Sequence, residues 1–333
     1  MHLNLLRTAG ALAAAVVVLA GCGEAGSSGT EAPPSAAAAG GAGCAPVAGN
    51  ELVVLTDDKK LQNTDNVIPA VNKKAASAEL IAALDRVSAA LDTAKLIELN
   101  KAVDIDRKSS KAAAQEFATA NNLTAGIARG QGGKVTVGAA NFSESATLGE
   151  LYSIVLTAAG YTVKVQQIGN RELYEPALEK GDITVVPEYA ATLATFLSGK
   201  VDKNATDPSS SDLDATVAAL KSLGDKRGLV FGKPSTAQDQ NAFAVTTAFA
   251  QKYAVSTLSD LASKCSGAAT VLGGPAECPQ RPKCQQGLVT TYNFQAGRFD
   301  TLDAGGPLTK NALKQGTISV GLVLSSDGAL AAG

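Results

Sequence analysis

The chain has 333 residues, with 29 Lys and Arg against 31 Asp and Glu, so its formal net charge is −2. This balance argues against a nucleic-acid partner, because such binding needs clustered Lys and Arg to displace counterions from the phosphates. The only histidine is His2, at the start of an export signal, so Ser-His-Asp or Cys-His catalysis and histidine-ligated metal sites are excluded.

The first 21 residues predict a lipoprotein signal peptide. Arg7 supplies a positive charge, and residues 8–20 form an apolar run that is too short to span a bilayer as a permanent helix. The run ends in "LAGC", which resembles the lipobox of bacterial lipoproteins, so we expect Cys22 to be lipidated and to become the new N-terminus. The alternative is an ordinary secretory signal followed by a coincidental cysteine. We therefore expect an extracytoplasmic protein that is lipid-anchored to the cell membrane.

Residues 22–50 consist mostly of Gly, Ala, Ser and Pro. A segment with so few large apolar side chains cannot bury enough surface to offset its loss of conformational entropy. We predict a flexible tether that holds a folded body away from the membrane. No later stretch is long and apolar enough to cross a bilayer.

From residue 51 onward, strand and helix patterns alternate. Strands are predicted at 51–55, 66–71, 134–138, 162–167, 182–189, 229–231, 241–246, 268–272 and 318–324. Helices are predicted around 80–91 and at 93–103, 109–120, 144–159, 171–180, 211–223 and 256–264. The β-α-β-α-β order from residue 134 predicts a parallel sheet covered by helices, and hence an α/β fold.

Several long segments carry a resemblance to a known family. They include "VGAANFSESATLGELYSIVLTAAGY", "GNRELYEPALEKGDITVVPEYAATL", "GGPAECPQRPKCQQGL" and "LDAGGPLTKNALKQGTISVGLVLSSD". In this order, the stretch 134–324 resembles the substrate-binding proteins of ABC importers for glycine betaine, choline and related quaternary amines. Residues 51–122 resemble the block that ends the family's proteins, but here that block comes first. The resemblance therefore implies a circular permutation with a splice at 123–133, and the alternative is an independent helical domain.

The resemblance implies a type II periplasmic-binding-protein fold, in which two α/β lobes meet at a two-strand hinge and hold the ligand between them. By analogy, lobe I is residues 72–236, and lobe II combines residues 51–71 with 237–333.

Besides Cys22, the chain has four cysteines, an even number that favours two disulfides over a zinc site, since a paired C-x-x-C is missing. Four cysteines allow three pairings, and from the lobe assignment our hypothesis is Cys44–Cys265 and Cys278–Cys284.

The ligand class that the resemblance implies demands a particular chemistry. A quaternary ammonium group has no N–H donors, so the faces of aromatic rings are the expected contacts. The candidate rings on family-matched segments, each of which could instead belong to the core, are Phe142, Tyr174, Tyr189 and Phe243. Family members often have Tyr in place of Phe243, and the missing hydroxyl would suit a bulkier or more apolar ligand.

A betaine would also present a carboxylate, which needs donors. Arg281 is the candidate cation, because its guanidinium matches a carboxylate with two hydrogen bonds, although it could equally be a surface charge. Polar candidates on loops at strand ends, where open α/β sheets bind ligands, are Asn141, Gln240, Asn241 and Asn66. These amides could instead be turn formers.

The function implied is that of a monomeric solute receptor that captures glycine betaine, choline, carnitine or a similar quaternary amine. It would deliver the ligand to the membrane subunits of an ABC permease without a metal or other cofactor. Alternatives are the same fold with a different apolar, aromatic or zwitterionic ligand, or a receptor that presents its ligand to a sensor. We do not expect an enzyme, because no segment offers a nucleophile beside a recognisable activating base.

Overall fold

The computed structural model describes residues 41–331, in which the chain forms ten strands and eleven α-helices. The strands are β1 Leu52–Val54, β2 Val67–Asn72, β3 Lys134–Ala139, β4 Thr162–Gln167, β5 Val185–Tyr189, β6 Leu229–Phe231, β7 Asn241–Thr246, β8 Gly267–Gly274, β9 Ala296–Thr301 and β10 Val320–Leu324. The helices are α1 Ala78–Ala90, α2 Thr93–Asp104, α3 Ser110–Ala120, α4 Ser143–Ala158, α5 Arg171–Lys180, α6 Ala190–Val201, α7 Leu213–Arg227, α8 Thr247–Tyr253, α9 Leu258–Cys265, α10 Gln285–Tyr292 and α11 Pro307–Gln315. Within the same range, none of these helices has the length and apolar character needed to cross a bilayer.

The strands form two five-stranded sheets. The first sheet has the order β4-β3-β5-β2-β6, with β3 parallel to β4 and β5, and with β2 antiparallel to β5 and β6. Every residue of β2 and of β5 is buried, as expected for central strands that are covered on both faces. The predicted parallel β-α-β-α-β unit is therefore confirmed.

The second sheet has the order β1-β7-β10-β8-β9. Strand β7 is antiparallel to both of its neighbours, whereas β8 is parallel to β10 and β9. Two disulfides, Cys44–Cys265 and Cys278–Cys284, tie down the region around this sheet, and they are the two pairs of our hypothesis. All four cysteines are buried in the core of this lobe.

Two segments connect the sheets, residues 55–66 between β1 and β2 and residues 232–240 between β6 and β7. They run side by side, because Asn66 and Gln238 form an antiparallel bridge and the Asp239 N–H donates to the Asp65 carbonyl oxygen at 3.1 Å. The Val67 N–H donates to the Ala237 carbonyl oxygen at 3.0 Å. This hydrogen-bonded pair is the two-strand hinge that the resemblance implies.

Strand β2 differs from the predicted division of the lobes. We expected residues 51–71 to belong to lobe II, but β2 pairs with β5 and β6 and lies in the first sheet. The chain thus leaves the second sheet after β1 and enters the first sheet at Val67. The prediction was wrong on this strand, because the resemblance does not reveal on which side of the hinge a strand pairs.

Helices α1 to α3 share a core with the first sheet. Leu84 and Leu99 from this block pack in one buried cluster with Val137, Leu148 and Tyr152, which follow the connector at 123–133. The block is therefore not an independent helical domain in the structure. At the other end of the described chain, Leu330 packs against the cluster that contains Leu52 of β1, so the two ends of the folded region meet.

Five elements were not predicted, namely α6, α8, α10, α11 and β9. Helix α6 follows β5 without an intervening loop, so the apolar run of the strand continues into the helix and hides the boundary. Its first turn is capped from a distance, because the Asp65 carboxylate accepts from the N–H groups of Ala191 at 2.9 Å and Thr192 at 3.0 Å. A cap 126 residues away is invisible to local sequence patterns.

Candidate functional site

A cavity of about 750 Å³ lies between the two sheets, at the carboxyl ends of β3, β5, β8 and β10. This is the edge at which open α/β sheets bind ligands. One wall comes from the first sheet and its helices, the other from the second sheet and the disulfide-closed loop 278–284, and the hinge segments form the floor. The charged side chains on its surface are Asp65, Arg171, Asp207, Asp239, Glu277, Arg281 and Lys283.

Three helices of the first lobe begin at this cavity. Helices α4, α5 and α6 each start within a few residues of the end of the preceding strand β3, β4 or β5. Because these strands are parallel, the three helix N-termini lie at the same edge of the sheet. The helix starts therefore converge on the cavity. Phe142 and Tyr189, which directly precede α4 and α6, line it, and so do Arg171 and Tyr174 at the start of α5.

Three aromatic rings line the first wall. The rings of Phe142 and Tyr189 are stacked with their centroids 6.3 Å apart, and the Phe142 side chain remains 43% exposed. Tyr174 and Tyr189 are buried, and both line the cavity. The Tyr174 hydroxyl donates to Glu188 Oε1 at 2.8 Å, and the Tyr189 hydroxyl donates to Glu144 Oε1. Each buried phenol thus has a carboxylate as its acceptor, which fixes the ring.

Glu188 lies behind the wall as half of a buried ion pair. Arg171 donates to Glu188 Oε1 through Nε at 3.0 Å and to Oε2 through Nη2 at 2.7 Å, and it also donates to Thr192 Oγ1 at 3.0 Å. This two-point contact satisfies both charges. Burial and the negative charge of Glu188 raise the pKa of Tyr174, so its hydroxyl stays protonated and can donate.

Glu144 belongs to a second network, which reaches across the two lobes. Asn100 of α2 donates from Nδ2 to Glu144 Oε2 at 2.5 Å and to the carbonyl oxygen of Ser326, after β10, at 2.8 Å. Burial raises the pKa of Glu144, and the hydrogen bonds from Tyr189 and Asn100 oppose that rise by stabilising the carboxylate. The network connects a ring of the cavity wall with the second sheet.

Two carboxyl groups of the hinge form the floor. Burial raises the pKa of Asp65 to about 6, although the N–H groups of α6 that it caps favour its charged form. Burial, followed by the nearby charge of Glu144, raises the pKa of Asp239 to about 8, and Ser326 Oγ donates to it at 2.9 Å. Both groups line the cavity, and the sequence analysis did not identify either one.

The second wall presents cations on the disulfide-closed loop. Lys283 Nζ donates to the Leu61 carbonyl oxygen and to Asn63 Oδ1, both at 2.8 Å, so this ammonium group is engaged with the hinge. Arg281 is exposed, and its guanidinium forms no hydrogen bond within residues 41–331. It is therefore available for an anionic group in the cavity.

Six of the nine predicted ligand-binding residues line the cavity. They are Phe142, Tyr174, Tyr189, Gln240, Asn241 and Arg281. Their contact with a ligand stays a prediction, as does lipidation of Cys22, which lies outside the described residues. Asn66 and Asn141 are not part of the lining, because Asn66 is buried in the hinge with its Nδ2 donating to the Ser235 carbonyl oxygen at 2.8 Å, whereas Asn141 faces solvent.

Phe243 requires a correction. It lies in the middle of β7 and not at a strand end, it is 1% exposed, and it packs in the core cluster with Cys278, Cys284 and Leu288. Asn241, two residues earlier on the same face of the strand, reaches the cavity instead. The ring of Phe243 therefore gives no information about the ligand, and the inference of a bulkier or more apolar ligand loses its basis.

Comparisons with known proteins relate the chain to glycine betaine-binding proteins. The family model for the substrate-binding domain of ABC-type glycine betaine transport systems matches residues 45–120 and 133–332. The glycine betaine-binding protein YehZ of Escherichia coli strain K12 is 27% identical over 206 residues, which cover 60% of this chain and 66% of that relative, just under two thirds of its length. A crystal structure of a glycine betaine/carnitine/choline ABC transporter matches 60% of this chain and 70% of its own, with 22% identity and a TM-score of 0.45.

Proposed function

The chain belongs to the family of substrate-binding domains of ABC-type glycine betaine transport systems, and on this premise we propose that it captures a quaternary ammonium compound between its two sheets. Candidate ligands are glycine betaine, choline and carnitine. The protein would deliver the ligand to the membrane subunits of an ABC permease. Members of this family are substrate-binding proteins and not enzymes, so the role of the cavity is binding and release.

The observation that carries the proposal is the composition of the first wall and the floor. A quaternary ammonium group gains about 0.5–2 kcal/mol from each well-placed aromatic face. Phe142, Tyr174 and Tyr189 supply three such rings around one cavity. The carboxyl groups of Asp65 and Asp239 below them add negative potential for the charge of the ligand. Rings and acids together suit a cation that cannot donate hydrogen bonds.

The opposite wall supports a ligand that also carries an anionic group. Arg281 faces the cavity from the disulfide-closed loop, and Asn241 and Gln240 provide amide groups near the start of β7. A guanidinium forms two parallel hydrogen bonds with a carboxylate, which would anchor glycine betaine or carnitine but not choline. We therefore propose a zwitterion with its cationic end on the first wall and its carboxylate at Arg281.

Isothermal titration calorimetry tests this function directly. The purified protein is titrated with glycine betaine, choline, carnitine and an uncharged sugar, and Tyr189→Ala is titrated in parallel. We expect binding of a quaternary amine that the substitution weakens by about 1 kcal/mol or more, since a ring face is lost. Tyr253→Ala is the matched control, because this ring lies on α8 against Phe249, away from the cavity. If no quaternary amine binds, this ligand class is ruled out.

We further propose export and lipid anchoring through Cys22, and a circularly permuted order of the family's segments. The family model matches the chain in two pieces, separated at residues 121–132, and the two ends of the folded region meet beside β1. Restoring the usual order, with residues 133–331 joined through a short Gly-Ser linker to residues 44–122, tests the permutation. We expect ligand affinity within a few-fold of that of the natural chain. An unfolded product would contradict the permutation.

A further inference from the structure

Both cavity tyrosines donate their hydroxyl groups to carboxylates that lie behind the rings. Glu144 accepts from Tyr189 and is 5% exposed, whereas Glu188 accepts from Tyr174 and is 1% exposed. A polar pair of this kind is costly to bury unless every group is satisfied. Their occurrence behind two rings of the same wall raises the question of what the negative charges do there.

The two pairs differ in how the charge is compensated. Glu188 faces the guanidinium of Arg171 at 2.7 Å, so its charge is neutralised within the wall. The other oxygen of Glu144 accepts from the neutral amide of Asn100, and within residues 41–331 no Lys or Arg forms a salt bridge with this carboxylate. Burial raises the pKa of Glu144, but the two donors that point at its oxygens, the Tyr189 hydroxyl and the Asn100 amide, favour the ionised form. No cation shares that charge within the described wall, and the aromatic group in contact with it is Tyr189.

A phenol that donates to a carboxylate gains electron density on its ring. The attraction of a cation to an aromatic face comes from the negative charge on that face, so the gain strengthens the contact. Burial adds to the effect, because solvent does not screen a charge in a low-dielectric environment. The same hydrogen bond also fixes the orientation of the ring, which stacks on Phe142 at 6.3 Å. One carboxylate thus orients the ring and makes its face more negative.

We propose that Glu144 is a positioning residue which, through the Tyr189 hydroxyl, makes this ring the principal cation receptor of the cavity and sets its selectivity for cations over neutral molecules of the same shape. This inference rests on the proposed function, because it presupposes that Tyr189 contacts a cationic group. Glu188, whose charge Arg171 neutralises, holds Tyr174 in place but does not confer this selectivity. Neither the family match nor the relatives assign a role to Glu144.

The test compares two probes that differ only in charge. Choline carries a trimethylammonium group, and 3,3-dimethylbutan-1-ol has a carbon atom in place of the nitrogen and is neutral. Glu144→Gln keeps the size of the side chain and an oxygen that accepts from Tyr189, but it removes the charge. We expect the affinity for choline to fall about tenfold, in the range of a strong cation–π contact, while the affinity for the neutral alcohol changes less than twofold. Equal losses for both probes would overturn the proposal.

A double-mutant cycle tests whether Glu144 acts through the hydroxyl of Tyr189. Tyr189→Phe keeps the ring but removes the hydrogen bond, and it remains informative if Glu144→Gln does not fold. We expect Tyr189→Phe alone to reduce the selectivity for choline over the alcohol about as much as Glu144→Gln does. In the Tyr189→Phe background, adding Glu144→Gln should then lower the affinity for choline by less than a further twofold. A full tenfold loss in that background would mean that the charge acts directly across the cavity, and would contradict the proposal.

A control and a spectroscopic measurement complete the experiment. Glu150→Gln removes the same charge from the same helix α4, at a position outside the cavity lining, and should leave choline binding unchanged. The chain has 6 Tyr and no Trp, so its near-UV spectrum reports on the phenols. Glu144→Gln should shift this spectrum, and the shift should vanish in the Tyr189→Phe background. If Tyr189→Ala leaves choline binding intact, the proposed function fails, whereas if only Glu144→Gln has no effect, this inference fails alone.

Discussion

The two walls of the cavity are held in place by different physical means. In the first wall, the rings of Tyr174 and Tyr189 are fixed by hydrogen bonds to the buried carboxylates of Glu188 and Glu144. In the second wall, Arg281 lies on an exposed loop that a disulfide closes, and its side chain has no partner within the described residues. The wall that we propose to bind the cation is thus held in one arrangement before a ligand arrives, whereas Arg281, which we propose to bind the anionic group, is restrained in its backbone and free in its side chain.

This difference suits a receptor that closes around its ligand. A fully satisfied buried network favours one arrangement, so the entropy cost of fixing the rings is met during folding rather than during binding. An exposed arginine loses its freedom only when it meets a carboxylate. We expect the ligand to dock on the first wall before the second wall approaches it. Four changes test how far this comparison holds.

The largest effect is expected from breaking the ion pair behind the first wall. Glu188→Ala leaves the Arg171 guanidinium half-buried without its partner and removes the acceptor of Tyr174. We expect the free energy of unfolding to fall by about 3–5 kcal/mol, as for other broken buried pairs. Urea unfolding followed by circular dichroism measures it.

The control for that experiment is the exposed pair Lys73–Asp225, in which both side chains are more than half exposed. Asp225→Ala should cost less than about 1 kcal/mol, because solvent screens such pairs. If Glu188→Ala costs no more than Asp225→Ala, the first wall is not held by its buried network and the comparison between the walls fails.

The second wall depends on covalent bonds, and their removal should come next in size. The Cys44–Cys265 bridge spans 221 residues of chain, whereas Cys278–Cys284 spans only 6. Because a longer closed loop restricts the unfolded chain more, we expect Cys44→Ser with Cys265→Ser to cost about 2–4 kcal/mol. Removal of the short bridge should lower the stability less but the ligand affinity more, since this bridge shapes the loop that carries Arg281. Equal effects of the two double variants on both quantities would contradict this division.

The sequence alone predicted three lining residues on each wall, and its error at Phe243 has a topological reason. The predicted strand 182–189 and the observed β5 both end at Tyr189, so the sequence placed this ring correctly at the sheet edge. Phe243 follows a similar pattern of an aromatic beside polar residues, but β7 begins at Asn241, and the ring two residues later is already inside the core. The difference depends on where a strand starts, which local patterns define poorly.

The two carboxyl groups of the floor were not predicted. Asp65 and Asp239 become neighbours because the two hinge segments pair, although these two residues are 174 positions apart in sequence (239 − 65). Their raised pKa values come from burial between the lobes, which a one-dimensional pattern does not record. The resemblance to a family gave the two lobes and the hinge, whereas the partners of each polar group emerged only from the three-dimensional contacts.

A smaller effect, confined to one class of ligand, is expected at Arg281. Arg281→Gln should lower the affinity for glycine betaine by about tenfold or more, since a charge-assisted hydrogen bond contributes about 1.5–3 kcal/mol. The affinity for choline, which lacks a carboxylate, should fall less than twofold. The free energy of unfolding should not change, because the Arg281 side chain is exposed. Calorimetric titration of both ligands measures the difference. Arg298→Gln, on β9 and outside the cavity lining, is the matched control. A parallel loss for both ligands would indicate that Arg281 supports the loop and does not bind the carboxylate.

The smallest effect on ligand affinity concerns the floor, where the two walls meet, and the same group also makes stability depend on pH. The pKa of Asp239 lies at about 8, because burial and the charge of Glu144 disfavour its ionised form, with Asp65 and Asp327 adding to the repulsion. An unfolded chain releases this proton near pH 4, so the folded state binds more protons between about pH 4 and pH 8. The free energy of unfolding should therefore fall across this range as pH rises, and Asp239→Asn should flatten the slope.

The affinity for the ligand should rise with pH through the titration of Asp239, whereas the free energy of unfolding falls. A cation above Asp239 favours its ionised form, so binding releases a proton and the affinity for choline should rise a few-fold from about pH 6.5 to pH 8.5. Calorimetry in buffers of different ionisation enthalpy counts the protons released. In Asp239→Asn the release should disappear in the upper part of this range, while Asp65, with a pKa of about 6, accounts for what remains below pH 7. Proton uptake on binding would mean that the ligand places no positive charge over the floor, and the cation would then be bound by the first wall alone.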